Sequence, residues 1–94
     1  MDLTLLHAPG NYKAVIENMM QFYIYDFSAY IDYDVDKTGL FKNYPNLDDY
    51  WNDSDNKFPY LFIKGETYAG FALVSRIKSN NDLFSIAEFF VISY

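Results

Sequence analysis

The stretch that most constrains this fold is Phe84-Ser85-Ile86-Ala87-Glu88-Phe89-Phe90-Val91-Ile92-Ser93-Tyr94. Strict alternation puts Phe84, Ile86, Phe90 and Ile92 on one face of an extended strand. Leu83, Ala87, Phe89 and Val91 then share the other. A strand apolar on both faces needs cover on both sides, which predicts a place in the middle of a sheet. Glu88 breaks the pattern, on the face with Ile86 and Phe90. A carboxylate among such side chains either finds a partner or has its pKa pushed up by desolvation. The chain also stops here, so no following segment supplies the neighbour that a central strand requires.

The rest of the chain supplies helices and a meander. Asp2 to His7 reads as a short strand, and Ala8-Pro9-Gly10-Asn11 as a turn. Asn11 is a suitable N-cap for a helix running to about Tyr30. Tyr12, Val15, Ile16, Met19, Phe22, Tyr23, Phe27 and Tyr30 give it an apolar stripe. Tyr33 to Tyr44 is polar and irregular. Asn46 is placed to cap a second, short helix through Leu47, Tyr50 and Trp51, with Asp48 and Asp49 favoured in its first turn by the dipole. Strands follow at Tyr60–Lys64 and Tyr68–Ile77, joined by a tight turn at Gly65-Glu66. Gly70 suggests a bulge or the close approach of another group. Lys78-Ser79-Asn80-Asn81-Asp82 reads as the turn into the final strand. The order is strand, helix, helix and three strands: an α+β domain, with helices packed on an antiparallel sheet.

Composition limits the function classes. The 94 residues make one domain, 51% hydrophobic and 21% aromatic, with a net charge of −6. That is too aromatic for disorder and too acidic to bind nucleic acid through phosphates. No Cys is present, which excludes disulfides and thiolate metal sites. Met1-Asp2-Leu3-Thr4 has no basic region, and no long apolar run follows. The reading is therefore no signal peptide, no membrane partner and a cytoplasmic location. Asp32, Asp34 and Asp36 alternate as in a calcium loop, but Lys37 stands where that loop needs Gly and Asn43 where it needs Glu. A solvated acidic turn fits better, and a lone His7 makes no metal site.

Two further stretches carry a family resemblance. Tyr68-Ala69-Gly70-Phe71-Ala72-Leu73 and Ile86-Ala87-Glu88-Phe89-Phe90-Val91, together with the helix segment Asn18 to Ser28, resemble the N-terminal half of the GNAT acetyltransferase superfamily. The resemblance implies residues 1–94 as a single, partial acetyltransferase-like domain. It also implies transfer of an acetyl group from acetyl-CoA to an amine acceptor. Glu88 would be the general base, acting through a water. Phe90, Val91 and Ile92 would lie along the cofactor, the amides of Val91 and Ile92 facing its pantetheine arm. Tyr25, Asp26, Tyr30 and Trp51 would border the acceptor amine; most of these aromatics also read as core. In the family the fourth strand leads into a basic, Gly-rich loop that holds the CoA pyrophosphate on backbone N–H groups. That loop does not follow here, so the expectation is an inactive fragment that binds acetyl-CoA weakly or not at all.

Two further expectations complete the reading. An unpaired apolar edge is a template for another chain, which predicts a homodimer through Phe84–Tyr94. The alternative to an enzyme is a non-catalytic α+β protein-interaction module. An enzyme fragment should show a cleft beside the last strand with Glu88 in its wall. An interaction module should show a continuous aromatic patch away from Glu88.

Overall fold

The computed structural model describes residues 3–42, 44–77 and 80–92. Along the chain come β1 (Leu3–His7), a 3-10 turn (Gly10–Tyr12), α1 (Lys13–Phe27), α2 (Asp49–Asn52), β2 (Lys57–Lys64), β3 (Thr67–Ile77) and β4 (Asn80–Val91). The strands form one antiparallel sheet in the order β1-β2-β3-β4. Gly65, at φ 61, takes the first central position of the two-residue loop between β2 and β3, where a hairpin turn favours Gly. Asn80 pairs with Ile77, so β4 begins earlier than the sequence suggested. The expected turn residues Lys78 and Ser79 lie outside the described residues, as do Asp2, Asn43, Ser93 and Tyr94.

The helices differ from expectation in detail. Asn11 lies in the 3-10 turn, and no side chain caps α1. The buried stripe is Ile16, Met19, Met20 and Ile24, at the three- and four-residue spacing of one helix face. Phe22 and Tyr30 stand in solvent instead. The helix closes at Phe27, where the Ser28 N–H reaches the carbonyls of Ile24 and Tyr25. Asn46 is not a cap: its φ of 61 puts it in the left-handed region, which Asn tolerates. Asp48 takes the N-cap position of α2, which is a single turn. An ion pair from Lys13 to Asp48 ties this turn to the start of α1.

One face of the sheet carries the core. Leu61, Phe71, Leu73 and Phe90 meet Ile16, Met19, Met20 and Ile24 of α1, with Leu47 and Tyr50 beside them. Phe71, Leu61 and Leu73 are among the fully buried side chains, each contributing about 1.5–3 kcal/mol of transfer free energy.

β4 departs from the sequence reading in two ways. It is an edge strand rather than a central one, paired only to β3 among the described residues. Its alternation is also interrupted. Leu73 pairs with Glu88 and the next residue, Val74, pairs with Ile86, so Ala87 is an extra residue in the ladder. Such a bulge reverses the faces on one side of it. Glu88 and Phe90 lie under α1, opposite the core residues Leu73 and Phe71. Phe84 and Ile86 are carried to the far face, where Phe89 and Val91 also lie.

Among the described residues no helix covers that far face. Phe84 packs on Phe58 at 5.7 Å and Phe89 on Phe62 at 5.4 Å. Leu3, Leu5, Ile86 and Val91 are largely exposed. At Gly70, expectation and structure meet: an added Cβ would stand 2.0 Å from the Phe90 carbonyl oxygen, and Ala69 beside it is the extra residue of a second bulge.

A carboxylate held by two phenols

The Glu88 site is assembled from three elements. The bulge at Ala87 turns Glu88 toward α1. Tyr23 interrupts the aliphatic stripe of α1, between Met20 and Ile24. Its ring packs edge-on against Phe27 at 4.9 Å, Phe71 at 5.8 Å and Phe90 at 5.9 Å. Its hydroxyl donates to Glu88 Oε2. The third element is the chain before α2. Gln21 clasps Phe41, its Nε2 donating to the Phe41 carbonyl at 3.0 Å and its Oε1 accepting from the Phe41 N–H at 2.9 Å. This anchors the segment that carries Tyr44, whose hydroxyl donates to Glu88 Oε1 at 3.0 Å.

Each carboxylate oxygen of Glu88 thus accepts one phenol. An ionised carboxylate has about four acceptor positions, so half remain for a ligand. Burial pushes the Tyr44 phenol up to about 12, and the adjacent Glu88 charge adds to the rise. The Tyr23 phenol is pushed higher still by burial and by its hydrogen bond to Glu88. Burial raises Tyr50 too, again with help from Glu88. Both donors therefore hold their protons throughout the neutral range.

Glu88 forms part of the wall of a cleft of about 380 Å³. Tyr23, Phe27, Tyr33 and Tyr44 supply its aromatic lining, and Ile24, Ile31 and Pro45 its aliphatic lining. Asp34 and Lys42 complete it. No family model, curated protein or solved structure matches this chain. The reading of the cleft therefore stands on its own geometry.

The other candidate residues fall in different places. Tyr25, Asp26 and Tyr30 gather in a shallow depression at the end of α1, where Tyr30 is 88% exposed. Tyr25 and Asp26 also join Phe22, Phe90, Val91 and Ile92 around a second pocket of about 300 Å³ beside β4. None of the three lines the Glu88 cleft. Trp51 is apart from both: its indole N–H donates to the Ala8 carbonyl at 3.1 Å, and its ring packs on the core. The Phe90 side chain is buried. The Ile92 N–H is committed to the Ala69 carbonyl at 2.7 Å, so it is not open to a ligand.

The fit to acetyl-CoA divides along the molecule. The second pocket is apolar enough for a pantetheine arm. Among the described residues its one charged lining group is Asp26, which is the wrong charge for a pyrophosphate. Asp36 of the acidic run accepts from the backbone N–H and hydroxyl of Thr38, whose hydroxyl holds its carboxyl below the usual range. No three metal-ligating side chains gather among the described residues, and none of the helices there is long and apolar enough to cross a membrane.

Sequence reasoning missed Tyr23 and Tyr44 as site residues. A buried carboxylate needs donors, but Tyr23 was one of three phenols on the expected stripe and nothing in the sequence separated it from Tyr12 and Tyr30. Nothing local marked Tyr44, because the Gln21 clasp that places it joins residues far apart in sequence.

Proposed function

We propose that this chain is the amino-terminal part of a cytoplasmic N-acetyltransferase in which Glu88 is the general base toward an amine acceptor. The observation that carries this is the aromatic cleft beside β4, with a two-phenol carboxylate in its wall. An amine reaches such a site as an ammonium ion, which the carboxylate attracts. Glu88 then accepts the ammonium proton, directly or through one water. Acetyl-CoA, when bound, supplies the activated acyl group. In the net reaction the amine nitrogen gains the acetyl group, CoA leaves as the thiol, and one proton is released at Glu88. Tyr23 and Tyr44 fix the carboxylate in one rotamer, so that its free lone pairs face the cleft.

The test is acetyl-CoA-dependent acetylation of an amine panel by the whole gene product, beside its Glu88→Gln variant. The variant should lose about 10²-fold or more in rate with its fold retained. A fully active variant, or no acetylated amine, overturns the proposal. Acetyl-CoA should bind residues 1–94 alone no tighter than about millimolar, because no cation is among the described residues that line the pocket beside β4.

A second reading rests on a separate observation, the open sheet face. Phe58 with Phe84 and Phe62 with Phe89 make two aromatic pairs on the side of the sheet away from Glu88. Leu3, Leu5, Ile86 and Val91 extend them, and no carboxylate stands among these residues. Arg76 lies over the Phe58 and Phe84 rings, and a homodimer through β4 and this face is the form this reading takes.

A further inference from the structure

We infer that the Glu88 cleft selects a monocationic amine whose body is a small apolar ring or chain. This rests on the amine reading of the site and specifies which amines it takes.

Size sets the first limit. A cleft of about 380 Å³ falls at the small end of the roughly 300–1,000 Å³ typical of small-molecule sites. That suits one small molecule. The lining sets the second. The aromatic rings of Phe27, Tyr33 and Tyr44 beside Ile31 and Pro45 favour an apolar body, and a ring that turns its face to the ligand also attracts a cation. A neutral ligand leaves the half-buried Glu88 charge without a counterion, whereas an ammonium group satisfies its free lone pairs.

Lys42 sets the third limit. It lines the same cleft, so a second positive charge on the ligand meets repulsion there. A polyamine is disfavoured for that reason, despite the acidic balance of the chain. Asp34 lines the cleft as well and offsets Lys42 in part, which leaves Glu88 as the net charge to be matched. The three charges together call for one cation, not two.

The experiment is a titration of the 94-residue chain, followed by tyrosine fluorescence and by ring proton resonances. The probes are 2-phenylethylamine, its neutral isostere 2-phenylethanol, and spermidine. The amine should bind about tenfold tighter than the alcohol and tighter than spermidine, shifting the rings of Tyr23 and Tyr44. Glu88→Gln should remove most of the difference between amine and alcohol. Lys42→Ala, at an exposed position, should improve spermidine severalfold, and by more than it improves 2-phenylethylamine. Equal binding of amine and alcohol overturns the inference, as does preference for spermidine in the unmodified chain. So does a response confined to Tyr25 and Tyr30. No acyl donor enters these titrations. Amine selectivity without acetylation by the gene product would therefore sink the acetyltransferase reading and leave this inference standing. Acetylation of other amines without this selectivity would do the reverse.

Discussion

Replacing Tyr23 by Phe removes one oxygen and keeps the ring. The contacts to Phe27, Phe71 and Phe90 survive, so the loss isolates the phenol–carboxylate bond. A hydrogen bond to a charged group contributes about 1.5–3 kcal/mol when well buried. Tyr23 and Glu88 are only half-buried, and water can replace part of the donor, so about 1–2 kcal/mol is expected. For a domain of this size, 1 kcal/mol corresponds to roughly 4–8 °C in Tm. Tyr23→Phe should therefore melt about 5–15 °C lower, with an unchanged urea m-value. The decisive measurement is a double-mutant cycle with Glu88→Gln. The neutral amide is a weaker acceptor, so Tyr23→Phe should cost at least ~0.5 kcal/mol less in that background. Equal losses in both backgrounds would show that the hydroxyl is stabilised by something other than Glu88.

Three further outcomes follow from the same geometry. Gly70→Ala drives a Cβ into the Phe90 carbonyl; it should cost about 2 kcal/mol or more, and native-state hydrogen exchange should show the loss of protection concentrated at Phe89–Val91. On alkaline titration Tyr44 should ionise near its raised pKa of about 12, with Tyr23 later still. The stability gained from keeping these phenols neutral is complete below about pH 10. It is lost as pH rises through the folded-state values, so Tm should fall above about pH 10, and Tyr44→Phe should flatten that fall. Sedimentation at ~100 μM should give a dimer that Phe89→Lys dissociates with its circular dichroism intact, whereas a monomer would refute the pairing of open faces. Phe90→Lys cannot serve there, because Phe90 is buried in the core.

The layer architecture was legible because hydrophobic period decides it. The strands, the β2–β3 turn and the amphipathic α1 all follow from residues close together in sequence. Less legible was which apolar residues of α1 face inward. Phe22 and Tyr30 fit a stripe as well as Met20 and Ile24 did, and only packing against the sheet separates them. Glu88 stood out as the one acidic residue in an apolar strand. Its partners did not, since Tyr44 reaches it through the Gln21–Phe41 clasp, a long-range contact without a sequence period. The faces of β4 were misassigned at Phe84 and Ile86 for a similar reason: strict alternation has no place for an extra residue, and Ala87 carries no mark of being one.

That extra residue works as a frameshift within the strand. Had alternation run unbroken, Glu88 would share a face with Phe84 and Ile86. A carboxylate would then sit in the apolar far surface, or two large apolar side chains would crowd the helix side. The added residue lets one strand serve two neighbourhoods with opposite demands. Phe84 and Ile86 can vary with whatever the far surface meets, and Glu88 keeps its phenols throughout. Length is the constrained quantity here: deleting Ala87 would damage the site more than most substitutions at Phe84 or Ile86.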